Sequence, residues 1–413
     1  MNSPTDLDKS PFRRPDYLGR NFPELGYKPL RTDEIFSAEY HALEKERIFK
    51  KSWLRVGTVA QLPEPGDYVV RDIEACDTSV IIVRGRDRQI RAFHNVCSHR
   101  NNKVAYESCG RAPSFVCRFH SWVYDTEGRL VTVPEEEIFS GLEKEQNGLT
   151  PVACETWEGF IFINVDPQPA QTLREYLGED IWNGFNGYFE NFAYMGTIAA
   201  DVNANWKLVL DAFVESYHFS TVHKATAGDI INTVENPNGF IADVRFFGPH
   251  RIGSAMSNLG HQPTHCETLA RRYSGNATLA PDVAMQKFLP PLVNPLRRED
   301  WLSDILILFP MCNLQMLMGF FVTQNYWPIS HDKTRWEFML HMLPPQTAAQ
   351  EAAVEYNRAF LRDVVREDVP NVEMIQQNLL SGAKNTQFIG DQEILVRHGH
   401  KIVADHVGYG YDA

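Results

Sequence analysis

The chain of 413 residues is short of positive charge. It has 40 Lys and Arg residues against 53 Asp and Glu residues, which gives a net charge of −13. Nucleic acids and anionic lipid surfaces are bound through basic faces. This balance therefore argues against nucleic-acid binding and against docking on an anionic membrane, although it leaves room for a local basic patch.

Long apolar runs are also missing. The chain has no stretch of the roughly twenty apolar residues that a membrane-spanning helix requires. Its first residues lack the apolar segment of a secretory signal peptide. The most apolar stretch, residues 305–322, is interrupted by Pro310, Asn313 and Gln315, which predicts buried strands. We expect a cytoplasmic protein that does not cross a membrane.

Cysteines and nucleotide-binding motifs are scarce. The seven cysteines are odd in number and scattered, which does not indicate a disulfide framework. A disulfide through Cys109 is an alternative to a free thiol at that position. Neither a G-x-G-x-x-G motif nor a P-loop occurs. Electrons from a pyridine nucleotide must therefore be delivered by another protein.

What the chain does contain is an alternating set of Cys and His residues. Cys97-x-His99 is followed, after seventeen intervening residues, by Cys117-x-x-His120. A zinc finger groups its cysteines before its histidines. The alternation instead resembles a Rieske [2Fe-2S] centre, in which two imidazoles replace two thiolates on one iron and raise the reduction potential. A zinc site, or four residues without a metal, are the alternatives.

The residues around these motifs agree with that interpretation in part. Trp122 follows the second pair, and residues 125–130 predict a hairpin turn that leads into a strand. In the Rieske proteins that the motif resembles, Pro and Tyr usually stand at the positions of Arg118 and Phe119, and Gly stands at that of Ser121. These departures keep the four ligands, but they affect the hydrogen bonds around the cluster and with them its potential.

A second pair of histidines, His218 and His223, lies toward the end of residues 205–223, which the sequence predicts to form a helix. Side chains five residues apart on an ideal helix diverge by about 140°. Both can bind one metal only if the helix loosens or ends near residues 221 and 222. Taken alone, the spacing leaves open two ordinary histidines on a partly buried helix.

The pattern Glu215-x-x-His218-x4-His223 follows Asn-Trp-Lys and lies downstream of the Rieske motif. This arrangement resembles the large (α) oxygenase subunit of the Rieske non-haem iron oxygenases, the aromatic-ring-hydroxylating dioxygenase family. The resemblance extends from about residue 48 to about residue 380. It implies that His218 and His223 bind a mononuclear Fe(II).

The family takes its third iron ligand from a carboxylate far downstream. Asp368 fits the family pattern, with Glu367 as its nearest competitor and Glu373 behind it. Two histidines and one carboxylate on one face leave open positions for O2 and substrate. The resemblance thus implies Asp368 as the third ligand.

The resemblance also gives Glu215 a role. Family members carry an acidic residue there, often Asp, which links a cluster histidine to an iron histidine across a subunit boundary. Electrons are then expected to pass through His120, Glu215 and His218. The alternative is a solvated helix charge. The implied assembly is a trimer, with or without a small β subunit (α3 or α3β3), and the implied electron donor is a ferredoxin or a flavin reductase.

The expected fold class is α+β, with an N-terminal all-β Rieske [2Fe-2S] domain and a C-terminal α+β catalytic domain built from an antiparallel sheet and helices. We predict an N-terminal extension with a helix over residues 1–47, the Rieske domain over 48–167 and the mononuclear-iron domain over 168–413. Asp211, Val214 and Phe219 are candidates for the substrate pocket because they lie near the iron ligands in sequence. The His398-Gly399-His400 segment is predicted to be a polar surface loop rather than a third metal site.

The implied function is that of a terminal oxygenase, which hydroxylates or dihydroxylates an aromatic or other hydrophobic small molecule. An alternative within the family is a monooxygenase that demethylates a quaternary amine or a methyl ether, for which an aromatic or acidic cage is needed. Two alternatives lie outside the family. A Rieske electron carrier would have no mononuclear iron site, and a zinc-binding structural protein would contain no iron.

Overall fold

The computed structural model describes residues 22–273, 289–317 and 319–412. Residues 1–21 of the predicted N-terminal extension lie outside the described residues. The chain divides into two compact units: residues 45–178 form one, and the remaining described residues form the other. The domain boundaries predicted at residues 47 and 167 stay a prediction.

The regular elements are numbered in chain order. The strands are β1 Leu30–Arg31, β2 Leu54–Thr58, β3 Asp67–Ile73, β4 Thr78–Arg84, β5 Ile90–His94, β6 Cys109–Arg111, β7 Ser114–Val116, β8 Val123–Asp125, β9 Leu130–Thr132, β10 Pro151–Trp157, β11 Phe160–Asn164, β12 Ala193–Val202, β13 Asp243–Phe247, β14 His250–Met256, β15 Trp301–Leu308, β16 Cys312–Leu317, β17 Phe320–Ser330, β18 Lys333–Met342 and β19 Thr386–Gln387. The helices are α1 Ala38–Glu44, α2 Leu173–Asn183, α3 Trp206–Ala212, α4 Phe219–Val222, α5 Gly228–Ile231, α6 His265–Tyr273, α7 Ala348–Leu379 and α8 Ile394–Val407.

The unit of residues 45–178 is built mainly from strands. Seven of them form an antiparallel sheet in the order β2-β11-β10-β5-β4-β3-β6, and β7, β8 and β9 form a second, small sheet. β4 carries the apolar run Val80–Val83, all of it buried, because both faces of this strand are covered. The predicted hairpin turn is confirmed: β8 pairs with β9, and Oδ1 of Asp125 accepts the backbone N–H groups of Glu127 and Arg129.

The second unit is organised around another seven-stranded antiparallel sheet, in the order β12-β18-β17-β16-β15-β14-β13. The apolar stretch 305–322 contributes to β15, β16 and β17, so the prediction of buried strands is confirmed. Together with the first unit, this sheet and its helices confirm the predicted α+β class.

Helix α7 is the longest of the described helices of this unit. Its first turn is capped because the side chain of Thr347 accepts the backbone N–H of Gln350. Pro370 lies inside the helix, and Nδ2 of Asn371 donates to the backbone carbonyl of Glu367 at 2.9 Å. The helix continues through the proline, and the Asn371 side chain adds one hydrogen bond to a helical carbonyl.

Two predictions about local structure are wrong. The single helix predicted over residues 205–223 ends at Ala212 and resumes only for the four residues of α4. The segment around His398 and His400 is not a surface loop but part of α8, and both histidines are buried. Gly399 lies between them because a Cβ there would come within 2.6 Å of the guanidinium of Arg251.

A buried ion pair fixes α3 to α1. Glu44 and Lys207 are 0% and 3% exposed, and the ammonium of Lys207 donates to the carboxylate of Glu44. The indole N–H of Trp206 donates to the same carboxylate at 3.0 Å, and Nδ1 of His41 lies 3.2 Å from it. Burial opposes the ionised form, but these partners outweigh it and lower the pKa of Glu44. The start of the histidine-bearing segment is thereby held in place.

None of the seven cysteines, all of which lie within the described ranges, forms a disulfide, and Cys109 is an exposed free thiol. Among the helices that the structure describes, none combines the length and the apolar composition that a membrane crossing would need.

Candidate metal centres

The first Cys/His loop closes on itself through its backbone. The N–H of Cys97 donates to the carbonyl of Asn102 at 2.8 Å, and the N–H of Asn101 donates to the carbonyl of Cys97 at 2.9 Å. Asn101 adopts a left-handed conformation with φ 60°. Asn tolerates this conformation better than most residues. The loop therefore returns sharply and leaves Cys97 and His99 at its tip.

The second loop repeats the same backbone pattern. The N–H of Cys117 donates to the carbonyl of Trp122, and the N–H of Ser121 donates to the carbonyl of Cys117, both at 2.9 Å. Ser121 stands where Asn101 stands in the first loop, with φ 59°. A left-handed residue is needed there, which explains why Gly is favoured at this position. Ser121, which stands where Gly is usual, thus adopts the backbone conformation that the loop requires.

The four predicted cluster ligands come together between these loops. Cys97 and Cys117 are each 1% exposed, and the ring centroids of His99 and His120 lie 4.4 Å apart. The Nδ1 atom of each histidine is buried without a hydrogen-bond partner among the described residues. Buried polar atoms normally have partners, so these two nitrogens are available as ligands.

The spacing of these side chains fits a cluster better than a single ion. Among the described residues, no three of their ligand atoms lie within 4.8 Å of one another. Zinc ligands at about 2.0–2.3 Å from one ion would lie closer together than that. Burial raises the pKa of the Cys97 thiol, and the adjacent Cys117 raises it further. Thiolates here therefore need the positive charge of bound iron, and the donor set fits a [2Fe-2S] group.

Two aromatic residues complete the surroundings of the first loop. The hydroxyl of Tyr124 lies 3.3 Å from Sγ of Cys97 and accepts the backbone N–H of Ser98 at 2.9 Å. The ring of Trp122 stacks on that of His99 at 4.9 Å. The sequence did not reveal the contact of Tyr124 with the first loop. Tyr124 lies on β8, 27 residues after Cys97, and no motif links the two positions.

The second centre is formed at both ends of α4. His218 occupies the N-cap position of this helix and His223 its C-cap position. The two histidines therefore do not need to share one face of a helix. Their Nε2 atoms are 3.2 Å apart. On a long ideal helix, side chains five residues apart would point about 140° away from each other. Here the helix is only one turn long, so the two rings can converge.

Asp368 reaches both histidines from the middle of α7. Its Oδ1 atom lies 3.4 Å from Nε2 of His218 and 3.1 Å from Nε2 of His223. These three ligand atoms form a group compact enough for one metal ion. Burial works against the ionised carboxyl, but the two histidines outweigh it and lower the pKa of Asp368. Two imidazoles and a carboxylate are a donor set that suits Fe(II).

Each histidine is oriented by a second carboxylate on its far side. The carboxylate of Glu215 contacts Nδ1 of His218. Oε2 of Glu367 lies 2.9 Å from Nδ1 of His223 and accepts the hydroxyl of Thr226 at 2.7 Å. Both rings therefore direct Nε2 toward Asp368. Such outer carboxylates fix the tautomer and the orientation of metal-binding histidines.

The other carboxylate considered as a ligand lies elsewhere. Oε1 of Glu373 accepts the backbone N–H of Asn203 at 2.9 Å and its amide Nδ2 at 3.0 Å. Glu373 is thus engaged with the end of β12, whereas Glu367 contacts His223 from outside. Within the described residues, Asp368 is the carboxylate grouped with both histidines.

A cavity of about 990 Å³, including its open mouth, lies against this centre. Val214 and Phe219, two of the predicted pocket residues, contribute to its lining together with both histidines. Asp211 does not: its carboxylate lies 2.7 Å from Nε2 of His400 on α8. Most of the remaining wall is apolar, as a site for an apolar small molecule requires.

Two family models match the chain. The model described as the Rieske [2Fe-2S] domain covers residues 52–143, and that of the ring hydroxylating alpha subunit (catalytic domain) covers residues 189–409. They confirm the prediction of a [2Fe-2S] cluster and a mononuclear iron as cofactors.

Among curated proteins, the chain is similar to the carnitine monooxygenase oxygenase subunit of Acinetobacter baumannii, with 30% identity over 47% of this chain and 52% of that protein. It is also similar to the alpha subunit of biphenyl 2,3-dioxygenase of Rhodococcus jostii, with 37% identity over 46% of this chain and 42% of that protein. The chain matches about half the length of these relatives.

Solved structures show the same fold. A quaternary ammonium Rieske monooxygenase aligns with a TM-score of 0.73 and 19% identity, over 96% of this chain and 99% of that one. Naphthalene 1,2-dioxygenase from Rhodococcus sp. aligns with a TM-score of 0.72 and 19% identity, over 95% and 97%.

Proposed function

Because the chain belongs to the ring-hydroxylating α-subunit family, we propose that it is the terminal oxygenase component of a multicomponent Rieske oxygenase. In this proposal it uses O2, with electrons from a NAD(P)H-dependent reductase or ferredoxin, to hydroxylate or dihydroxylate an aromatic or other hydrophobic substrate. The observation that carries it is the compact group of His218, His223 and Asp368 against an apolar cavity. A Rieske electron carrier needs neither feature.

In this proposal, Cys97, His99, Cys117 and His120 hold the cluster, and His218, His223 and Asp368 hold the iron. The two orphaned Nδ1 atoms support the first set, and the 3.1–3.4 Å separations among ligand atoms support the second. When bound, the cluster supplies one-electron transfer and the mononuclear iron supplies activation of O2.

The protein groups around the iron site have separate tasks. Glu215 and Glu367 hold the two imidazole rings with Nε2 toward Asp368. The apolar wall, including Val214 and Phe219, excludes water from the reacting part of the substrate and holds an apolar body by burying its surface. Positioning of this kind lowers the entropic barrier to reaction.

Glu215 has a further role in the proposal. Its carboxylate already engages Nδ1 of His218, and we propose that it also accepts from His120 of a neighbouring subunit, which makes it an inter-subunit bridge for electrons. The assembly would be a trimer, with or without a small β subunit. A Glu215→Gln substitution should keep both metals bound and remove turnover, whereas full turnover would exclude the bridge.

The second candidate function is oxidative demethylation of a quaternary amine or a methyl ether. Similarity to carnitine monooxygenase and glycine betaine monooxygenase oxygenase subunits favours it. Against it, the aromatic residues that line the described part of the cavity are all Phe, and Trp and Tyr are the better partners for a cation. Demethylation releases formaldehyde, so product analysis separates the two candidates.

The experiment that tests the proposal combines metal analysis with ¹⁸O2 labelling. The reconstituted protein with a surrogate reductase should transfer ¹⁸O into an aromatic substrate. The Asp368→Ala variant should lose the mononuclear iron and all incorporation while its cluster spectrum is unchanged. An Asp368→Ala protein with stoichiometric mononuclear iron would remove Asp368 from the ligand set. Zinc at the Cys/His loops would remove the enzymatic proposal itself.

A further inference from the structure

Gln324 on β17 has a side-chain amide whose orientation is fixed. Its Oε1 atom accepts the hydroxyl of Tyr326 at 2.9 Å and the indole N–H of Trp336 at 3.0 Å. An indole nitrogen only donates hydrogen bonds. The atom that faces Trp336 must therefore be the amide oxygen, and the NH2 group must point the other way.

The other side of this amide is the cavity of the proposed active site, which Gln324 lines. Among the described residues, nothing accepts a hydrogen bond from Nε2 of Gln324, although the residue is only 1% exposed. When a ligand covers such a donor with apolar surface, the donor is left without an acceptor, and this costs free energy. A ligand that places an acceptor atom against Nε2 avoids that cost and is therefore selected.

The charges of the cavity restrict the ligand that can provide the acceptor. No Lys or Arg is found among its described lining residues. The ionisable residues of the lining are Glu215, His218, His223 and Asp368, and they already engage one another. A carboxylate ligand would therefore meet no basic side chain in this lining, and the positive charge nearest to it would be that of the proposed Fe(II). Among the aromatic side chains of this lining a cation would meet phenylalanine faces, which are poorer partners than tryptophan.

Resting on the oxygenase function proposed above, we propose that Gln324 is a specificity-determining residue that donates a hydrogen bond to a carbonyl or ether oxygen of a neutral, mainly apolar ring substrate. The site then prefers a ring compound with one such oxygen over a bare hydrocarbon or a quaternary ammonium ion.

Binding of a matched pair of probes, fluorenone and fluorene, tests this preference without turnover. Calorimetry on the holoenzyme without reductant gives both dissociation constants, and tetraethylammonium is measured beside them. We expect fluorenone to bind about tenfold more tightly than fluorene, the effect of one good neutral hydrogen bond. Equal binding of the pair, or tighter binding of tetraethylammonium, would overturn the proposal.

The variant Gln324→Met keeps the length of the side chain and removes the amide, so the preference for fluorenone should disappear. Gln315→Met is the matched control: Gln315 lies on the adjacent strand, lines the same cavity and contacts Ser303 Oγ at 3.4 Å. It should keep the preference. An equal loss in both variants would show that general polarity, and not Gln324, selects the ligand.

Infrared spectroscopy keeps the proposal testable if Gln324→Met does not fold, because Tyr326 and Trp336 lose their acceptor in that variant. The carbonyl stretch of fluorenone should shift to lower frequency on binding to the unsubstituted protein, and an unshifted band would exclude the hydrogen bond. These readouts do not depend on oxygen chemistry. Loss of ¹⁸O incorporation with the carbonyl preference intact would refute only the oxygenase function, and the reverse result would refute only the role of Gln324.

Discussion

Oε2 of Glu367 lies 2.9 Å from Nδ1 of His223. Glu367 and Asp368 are neighbours in sequence, yet they contact opposite nitrogens of the same ring. One residue orients the imidazole and the other lies beside its metal-facing atom. Adjacent acidic residues on α7 therefore have different tasks, and their substitution should have different consequences.

Replacing Glu367 with Ala should weaken Fe(II) binding about 10- to 100-fold without abolishing it, because the ring of His223 loses the partner that fixes its orientation. The measurement is an anaerobic Fe(II) titration of the protein depleted of mononuclear iron. Glu373→Ala is the matched control, since Glu373 lies on the same helix and contacts Asn203 instead. Identical Fe(II) affinity in the two variants would contradict the orienting role of Glu367.

Replacing Tyr124 with Phe should lower the reduction potential of the cluster. The hydroxyl lies 3.3 Å from Sγ of Cys97, and a hydrogen bond to this sulfur stabilises the more negative, reduced cluster. A loss of about 1 kcal/mol corresponds to a fall of roughly 40 mV for one electron. Redox titration followed by EPR measures the shift. Tyr68→Phe, in the same core but without this contact, should leave the potential unchanged; a potential that Tyr124→Phe does not alter would rule out the bond.

Replacing Lys207 with Met should destabilise the second unit by about 3–5 kcal/mol, because the buried carboxylate of Glu44 is left without its cation. Urea denaturation followed by tryptophan fluorescence measures the change in the free energy of unfolding. The double variant Glu44→Gln/Lys207→Met should recover part of the loss, since it no longer buries an unpaired charge. A double variant less stable than Lys207→Met would argue against this account.

Asp304 should make stability fall as the pH rises from about 4 to about 6. Burial raises the pKa of Asp304 to about 6 from an ordinary value of 3.8. The folded protein therefore holds this proton more tightly than the unfolded chain does. The stabilisation is complete below about pH 4 and is lost as the pH rises through about 6, a change of roughly 3 kcal/mol.

Asp304→Asn isolates this effect. Its amide oxygen can still accept from the backbone N–H of Asn294 and the indole of Trp301, and its NH2 can donate to the hydroxyl of Ser254. The free energy of unfolding of the variant minus that of the unsubstituted protein should therefore increase by about 3 kcal/mol between pH 4 and pH 7. A difference that is constant with pH would mean that Asp304 keeps an ordinary pKa.

The metal-binding residues differ in how readily the sequence reveals them. The proposed cluster ligands lie in two short loops, so their order and spacing, together with the flanking residues, indicate a metal centre. Asp368 was inferred only through family resemblance, because the contact between α7 and α4 is made by tertiary packing. The orienting role of Glu367 and the fixed amide of Gln324 depend on neighbours that are distant in sequence. No local sequence pattern predicts either feature.

The break after α3 was missed for a local reason. Its apolar residues favour a continuous helix, but the carboxylate of Glu215 accepts the backbone N–H of Tyr217 and, at 3.4 Å, that of His218. Side chains that capture backbone donors in this way compete with helical hydrogen bonds. In α8 the opposite error arose: the segment His398-Gly399-His400 was predicted to be a surface loop, although the missing side chain of Gly399 makes room for Arg251 beside a buried helix.

The single turn of α4 determines the distance between two nitrogen atoms. With His218 at one end and His223 at the other, four intervening residues set their Nε2 atoms 3.2 Å apart. One residue more or fewer would swing an imidazole by about 100° around the helix axis. The length of this turn therefore sets where the two rings begin, and the carboxylates of Glu215 and Glu367 then fix their orientation.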